Sequence, residues 1–223
     1  MKAICQVGAS TKTRTDSQYY IGEKGIGFKS VFMVASKVHI QSGPFSFFFE
    51  HHHGDSGMGM IAPEYIPPEL PFPGSLTRMT LTLLDGLDQP SLYAQFQALP
   101  DTILLFLSKL KRITIKILEP ETMGFETTCF TCFHSVPTRR ATLFRSMDST
   151  SKPPMVDMTE YHVTRKLLKN LPYDEQRAHN TAEVVLAFPL DENSTPIIRS
   201  QEVFAYLPIR DYGFSVTLSV LFT

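Results

Sequence analysis

What this chain has little of narrows its function before any motif is read. Its 21 basic and 22 acidic side chains leave a net charge of −1 with histidine neutral, and the two signs are mixed along the chain. No electrostatic footprint for a nucleic acid or an anionic membrane surface follows from that balance. The longest apolar runs, such as Ile103-Leu104-Leu105-Phe106-Leu107, fall far short of a membrane span, and the first residues hold no signal-peptide apolar stretch. Three cysteines cannot build a disulfide framework and fit a reducing compartment. No nucleophile elbow is present, and neither Cys5 nor the serines have a recognisable His/Asp partner spacing, so no hydrolase triad is assigned. The expectation is a soluble intracellular protein, cytoplasmic or nuclear. Its 223 residues and 43% hydrophobic content allow one large or two small domains.

What is there is a glycine-rich run, Gly22-Glu23-Lys24-Gly25-Ile26-Gly27-Phe28-Lys29-Ser30-Val31-Phe32, leading into an apolar segment. Three glycines in six positions let the backbone take positive φ and approach an anion closely. A helix start after them would offer unpaired N–H groups and the positive end of a dipole. Lys24 and Lys29 add charge on either side. The run fails two common phosphate patterns. Phe28 stands between Gly27 and Lys29, so the lysine is one position late for a Walker A loop, and Ser30 replaces the third glycine of the dinucleotide fingerprint.

The run resembles the second glycine box of the GHKL ATPases, the superfamily of DNA gyrase, the heat-shock chaperones, histidine kinases and MutL. Ser10-Thr11-Lys12, the glycine run, Val38-His39-Ile40-Gln41-Ser42-Gly43 and Gly59-Met60-Ile61-Ala62-Pro63 together resemble the sacsin and plant NO VEIN-like branch, particularly its large fungal members. The resemblance implies a two-layer α/β sandwich, N-terminally truncated, over residues 1–120, followed by a β-rich segment over 121–223. It implies that Gly25 and Gly27, with Ile26 and the backbone of Phe28 and Lys29, meet the terminal phosphates of ATP, that Gly22 sets the turn, and that Lys24 either reaches phosphate or is solvated. Thr77 resembles the threonine behind the adenine, where a hydroxyl holds the exocyclic amine through a water. Its plain reading is a β-former on an exposed strand face, and Thr80 is the rival register.

Pattern alone gives most of the elements. Residues 9–20 read as a polar loop, lid territory in the family, and Ser30 to Ala35 as a short helix. Lys37–Gln41 and Phe45–Glu50 read as a hairpin joined by Ser42-Gly43-Pro44. Pro63 to Gly74 holds too much proline for a ladder. Thr77 to Leu83 alternates at period two, Ser91 to Leu110 carries helical spacing broken at Pro100-Asp101, and Arg112 to Leu118 alternates again. These elements are expected to form one mixed sheet with helices on one face. Beyond Glu119-Pro120, strands are expected at Phe125–Val136, Glu160–Leu168, Ala182–Pro189, Val203–Leu207 and the apolar Ser215–Thr223.

Two further clusters carry plainer readings. His51-His52-His53 is read as a solvated loop, because three consecutive histidines do not easily converge on one ion. Cys129-Phe130-Thr131-Cys132 with His134 lacks a second cysteine pair and is read as a buried strand.

In the family the catalytic glutamate, the Mg²⁺-binding asparagine and the adenine aspartate lie upstream of the second glycine box. Here the first asparagine is Asn170, and Asp16 is the only acid before Gly22. The chain therefore reads as an internal fragment that begins after the first glycine box. The expected function is an incomplete ATP-binding module of a chaperone-like ATPase, with Mg²⁺ in the full-length parent and no hydrolysis by the fragment. The alternative is a scaffold or protein-interaction domain that keeps the fold without nucleotide. Uncovered sheet surface would then favour a protein partner or self-association.

Overall fold

A two-residue turn starts the first sheet. Gly43 takes φ 55°, a left-handed conformation open to glycine, and with Pro44 it reverses the chain so that Ser42 faces Phe45. The computed structural model describes residues 28–51, 62–70, 73, 76–107, 109–119, 123–171, 181–205 and 207–222. The chain divides after Gln89 into two units.

In the first unit, β1 (Ala35–Ser42) pairs antiparallel with β2 (Phe45–Glu50) on one side and β4 (Thr77–Leu83) on the other. A two-residue β3 (Glu64–Tyr65) adds to the free edge of β2, giving the order β3-β2-β1-β4. Directly opposed residues share a face, so Val38, Ile40, Phe47, Phe49, Met79 and Leu81 line one side. A single 3-10 turn, Phe28–Met33, packs there. Phe28, Val31 and Phe32 lie against a cluster of Ala35, Val38, Ile40, Phe47 and Phe49. The Phe28 ring meets the Phe49 ring edge-on at 5.6 Å.

On the opposite face Gln41, fully buried, holds the chain after β3 against β1. Its Nε2 donates to the Glu69 carbonyl at 2.8 Å, while its Oε1 accepts from Glu69 N–H and from Arg78 Nη2, each at 3.3 Å. Arg78 also pairs with the Glu69 carboxylate. A side-chain amide here replaces a ladder that the prolines forbid.

The second unit is an eight-stranded sheet, β5 (Arg112–Glu119), β6 (Gly124–Ser135), β7 (Arg140–Ser149), β8 (Met155–Leu168), β9 (Ala182–Leu190), β10 (Gln201–Ala205), β11 (Leu207–Phe214) and β12 (Thr217–Phe222). Its order is β11-β10-β12-β9-β8-β7-β6-β5, antiparallel throughout except for the parallel β10–β12 pair. The sheet curls into a half barrel. One 3-10 turn, Asp101–Leu105, opens the run Ile103–Leu107, whose five side chains are all buried against Phe130, Cys132, Leu143, Tyr161, Val163, Val185 and Phe204. Fully burying an aliphatic or aromatic side chain contributes about 2 kcal/mol, so this short plug is a large share of the core.

The expected two-layer α/β sandwich does not form. Strands dominate, and among the described residues the one α-helix is α1 (Gln89–Gln97), which buries none of its side chains. A sandwich layer needs a helix with a buried apolar face. The apolar residues instead sit at alternating strand positions and in the plug. Ser91–Leu110 does break at Pro100, but its second half is a 3-10 turn. The expected helix at Ser30–Ala35 is the Phe28–Met33 turn, and Ala35 already belongs to β1. Nor do the four early strands share one sheet: β5 pairs along its length with β6. The division after Gln89 lies well before residue 120, where the sequence places a boundary. The proline-rich stretch holds a ladder after all, though only at an outer edge, where proline is tolerated.

Candidate functional site

Of the residues expected to meet nucleotide, Gly22, Lys24, Gly25, Ile26 and Gly27 lie outside the described residues. Phe28 is placed, and its ring is half-buried among Phe32 and Phe49, a packing role. The backbone of Lys29 lies in the same 3-10 turn. Six residues of 3-10 helix are a short piece and carry no α-helical N-terminus. The helix start expected after Gly27 is a 3-10 turn here, not an α-helix.

Thr77 opens β4, opposite Ser42, and the two hydroxyls are 2.8 Å apart. It is exposed, and it shares a face with Met79 and Leu81, the face that carries the Phe28–Met33 turn. Thr80 pairs with His39 and points to the other side. Thr77 lies four residues from Leu81, roughly 13 Å along an extended strand, whereas Phe28 reaches the sheet at the level of Phe49, Val38 and Leu81. The apolar face is closed over β1, where Val38 and Ile40 are 0% and 4% exposed, and open over β4, where Met79 and Leu81 are 55% and 42% exposed. The result is a wall with a hydroxyl at one end and apolar side chains beside it. The sequence pattern identified the strand and its exposed face but not which apolar side chains, Met79 and Leu81, stand open there. Nor did it mark Gln41, since a polar residue at an alternating strand position reads as solvent-facing.

His52 and His53 lie outside the described residues, and the His51 ring packs against Phe32 at 6.0 Å. Cys129 and Cys132 are both buried on β6, as the strand reading expects. Three residues apart on a strand, they face opposite sides of the sheet, so the pair does not act as a C-x-x-C centre. Cys132 Sγ lies 3.3 Å from His134 Nε2 on the plug side. Burial pushes the Cys132 thiol up to about 11 and holds His134 below its ordinary value, with the charges of Lys111 and Arg165 adding to the His134 effect. Cys129 differs. Burial raises it, but hydrogen bonds from Thr114, Arg112 (Nε at 3.0 Å) and Thr131, with the Arg112 charge, bring it below the usual thiol value. Among the described residues no group of His, Cys, Asp or Glu is placed to hold a metal ion. No described helix is long and apolar enough to cross a membrane.

No family model matches the chain, and no solved structure matches it. It is 29% identical over an alignment of 239 positions to Protein NO VEIN of Arabidopsis thaliana. That alignment takes in 96% of this chain and 8% of the relative, so the chain spans less than a tenth of the length of the protein it matches. The similarity fits the NO VEIN-like part of the resemblance drawn from the glycine run and its flanking motifs.

Proposed function

We propose that residues up to Gln89 form the later part of a GHKL-type ATP-binding module in a NO VEIN-like protein, and that ATP binds there without turnover by this chain's own residues. The observation that carries this reading is the open wall of β4. Thr77, Met79 and Leu81 share the face onto which the glycine run leads through the Phe28–Met33 turn. An adenine ring suits the apolar part of that wall, and its exocyclic amine suits the Thr77 hydroxyl through a water. Phosphates suit Gly25, Gly27 and Lys24. Magnesium accompanies ATP in the family. The described residues do not supply its ligands.

Hydrolysis needs a base within hydrogen-bond reach of the attacking water. Before Gly22 the sequence offers only Asp16, inside the lid-like loop. Titration calorimetry with Mg-ATP, alongside a phosphate-release assay, tests the reading. Weak saturable binding that Gly27→Val abolishes and Thr77→Ala weakens several-fold is expected, with no phosphate released. Equal binding by Gly27→Val would remove the basis of the proposal, and turnover lost on Glu23→Gln would make Glu23 a base.

A protein-interaction role is the second reading, favoured by the same exposed Met79 and Leu81. It predicts association through β4 in the absence of nucleotide.

A further inference from the structure

We propose that His134 is an acid-released latch on the plug: as a neutral ring it ties the Leu104 backbone to β6, and protonation of the ring loosens the plug from the concave face of the second unit. His134 stands near the end of β6, on the same face as Cys132 and opposite Ala141 of β7, and that face carries the plug. Its Nε2 lies 3.3 Å from Cys132 Sγ, and the ring also hydrogen-bonds the Leu104 backbone. Leu104 and Cys132 are 0% and 1% exposed, so both partners are out of reach of water. The Asp101–Leu105 turn closes its own bonds on the Pro100 and Ile103 carbonyls. The half-buried ring supplies the partner that the buried Leu104 carbonyl needs.

This arrangement suits only the neutral ring. Burial pushes the Cys132 thiol up to about 11, so at neutral pH the thiol keeps its proton and donates to Nε2. The hydrogen of the ring is then on Nδ1, facing the Leu104 carbonyl. A protonated ring would set a second N–H against a sulfur that accepts weakly. The charges around it oppose that proton as well. Lys111, just before β5, and Arg165 on β8 both act on the ring, and Arg139, in the turn after β6, lines the same cavity. Opposite it β7 presents Ala141, and the plug run Ile103–Leu107 carries no ionisable side chain. Of the other groups nearby, Glu183 pairs with Arg165 at 3.1 Å, while Asp101 and Arg199 act on Tyr161 of β8. Among the described residues no carboxylate pairs with His134.

Burial and the two cations outweigh the Leu104 bond, which favours the charged ring, and hold His134 below its ordinary 6.5. A value lowered in the docked state means that the latch holds fully above pH 6.5 and is lost as pH falls through 6.5 toward the docked value. One proton is taken up on release, so the population with the plug open grows by at most about tenfold per pH unit. Release uncovers the apolar residues beneath, Phe130, Leu143 and Phe204 among them.

Nitrogen NMR of the whole chain tests the geometry, with the His134 signals assigned by their loss in His134→Gln. The hydrogen is expected on Nδ1 at neutral pH, with a titration midpoint below 6.5. Amide hydrogen exchange tests the release. Protection factors, which divide out the intrinsic pH dependence of exchange, are read at the Ile103 and Phe106 N–H groups that close the turn. They should fall by up to about tenfold per pH unit between pH 6.5 and about 5 in the native chain, and this fall should be absent in His134→Gln. If that variant does not fold by circular dichroism, Cys132→Ser serves in its place. Its hydroxyl accepts from a charged ring better than sulfur does, so it should raise the His134 midpoint and flatten the pH dependence. A midpoint at or above 6.5, the hydrogen on Nε2, or the same fall in protection in the variants as in the native chain overturns the proposal.

Discussion

Among the described residues, the Ile103–Leu107 plug fills the concave face of the eight-stranded sheet, whereas on the four-stranded sheet the Phe28–Met33 turn covers the apolar face over β1 and β2 and leaves β4 exposed. Leu104 and Leu105 in the plug are fully buried, while Leu81, one strand over from the fully buried Val38, is 42% exposed. Both sheets come from the same alternation of apolar and polar residues. The difference lies in what covers them. A five-residue apolar run following Pro100 suffices for the curled sheet, and a single 3-10 turn covers only half of the smaller one. The larger sheet is enclosed by its plug, and the smaller one leaves Met79 and Leu81 of β4 exposed.

The contrast can be broken first at the plug. Leu104→Ala should cost about 3–5 kcal/mol, because the site is fully enclosed and collapses poorly. Denaturant unfolding monitored separately on the two units should show the loss in the second. An equal loss in the first would mean that the units do not unfold independently.

Alkaline pH should also discriminate between them. Burial pushes Cys132 up to about 11 from its ordinary 9.0, and burial with the Asp101 charge pushes Tyr161 up to about 12 from 10.0. Both folded-state values are raised, so the stability they contribute is full below pH 9 and 10 respectively and is lost as pH rises through 11 and 12. The loss is on the order of 3 kcal/mol for each group. Urea unfolding from pH 7 to 11 should show the decline in the second unit. Cys132→Ala should remove the part that begins near pH 9 and Tyr161→Phe the part that begins near pH 10. An unchanged slope in both variants would remove burial of these groups as its cause.

Smaller effects are expected in the first unit. Gln41→Ala should cost about 1–3 kcal/mol, since it leaves the Glu69 N–H and carbonyl without their buried partner. Faster amide exchange at Glu69 with β1 unaffected is the expected signature. Leu81→Ser should change stability by less than about 0.5 kcal/mol and should lower any self-association seen by sedimentation. A loss near that of Leu104→Ala would show that the β4 face is packed in solution.

The strands were legible where alternation is strong. Thr77–Leu83 and Phe45–Glu50 have the bounds that their patterns give. β7 is not legible, because Arg140, Arg145 and Asp148 dilute the pattern of Ala141 and Leu143, and only its place between β6 and β8 makes it a strand. β11 carries Pro208 and Gly213, and it survives because it is an edge. The plug misleads in the other direction. Five consecutive apolar residues near a helical pattern read as helix, and only the enclosing sheet explains why all five are buried. For the candidate site, the sequence marks the glycine run and Thr77 by type and spacing. Uncovered sheet surface was expected from the missing first helix, but that it falls on β4 rather than β1 follows from the pairing of strands far apart in sequence, which no local pattern encodes.

The most direct test of nucleotide binding at the open sheet is photolabelling with an azido-adenine analogue of ATP, followed by mapping of the modified residues. The account predicts label on β4, within Thr77–Leu83, that excess ATP suppresses and Gly27→Val eliminates. Label confined to residues beyond Gln89, or label on β4 that survives both competition and Gly27→Val, would contradict it.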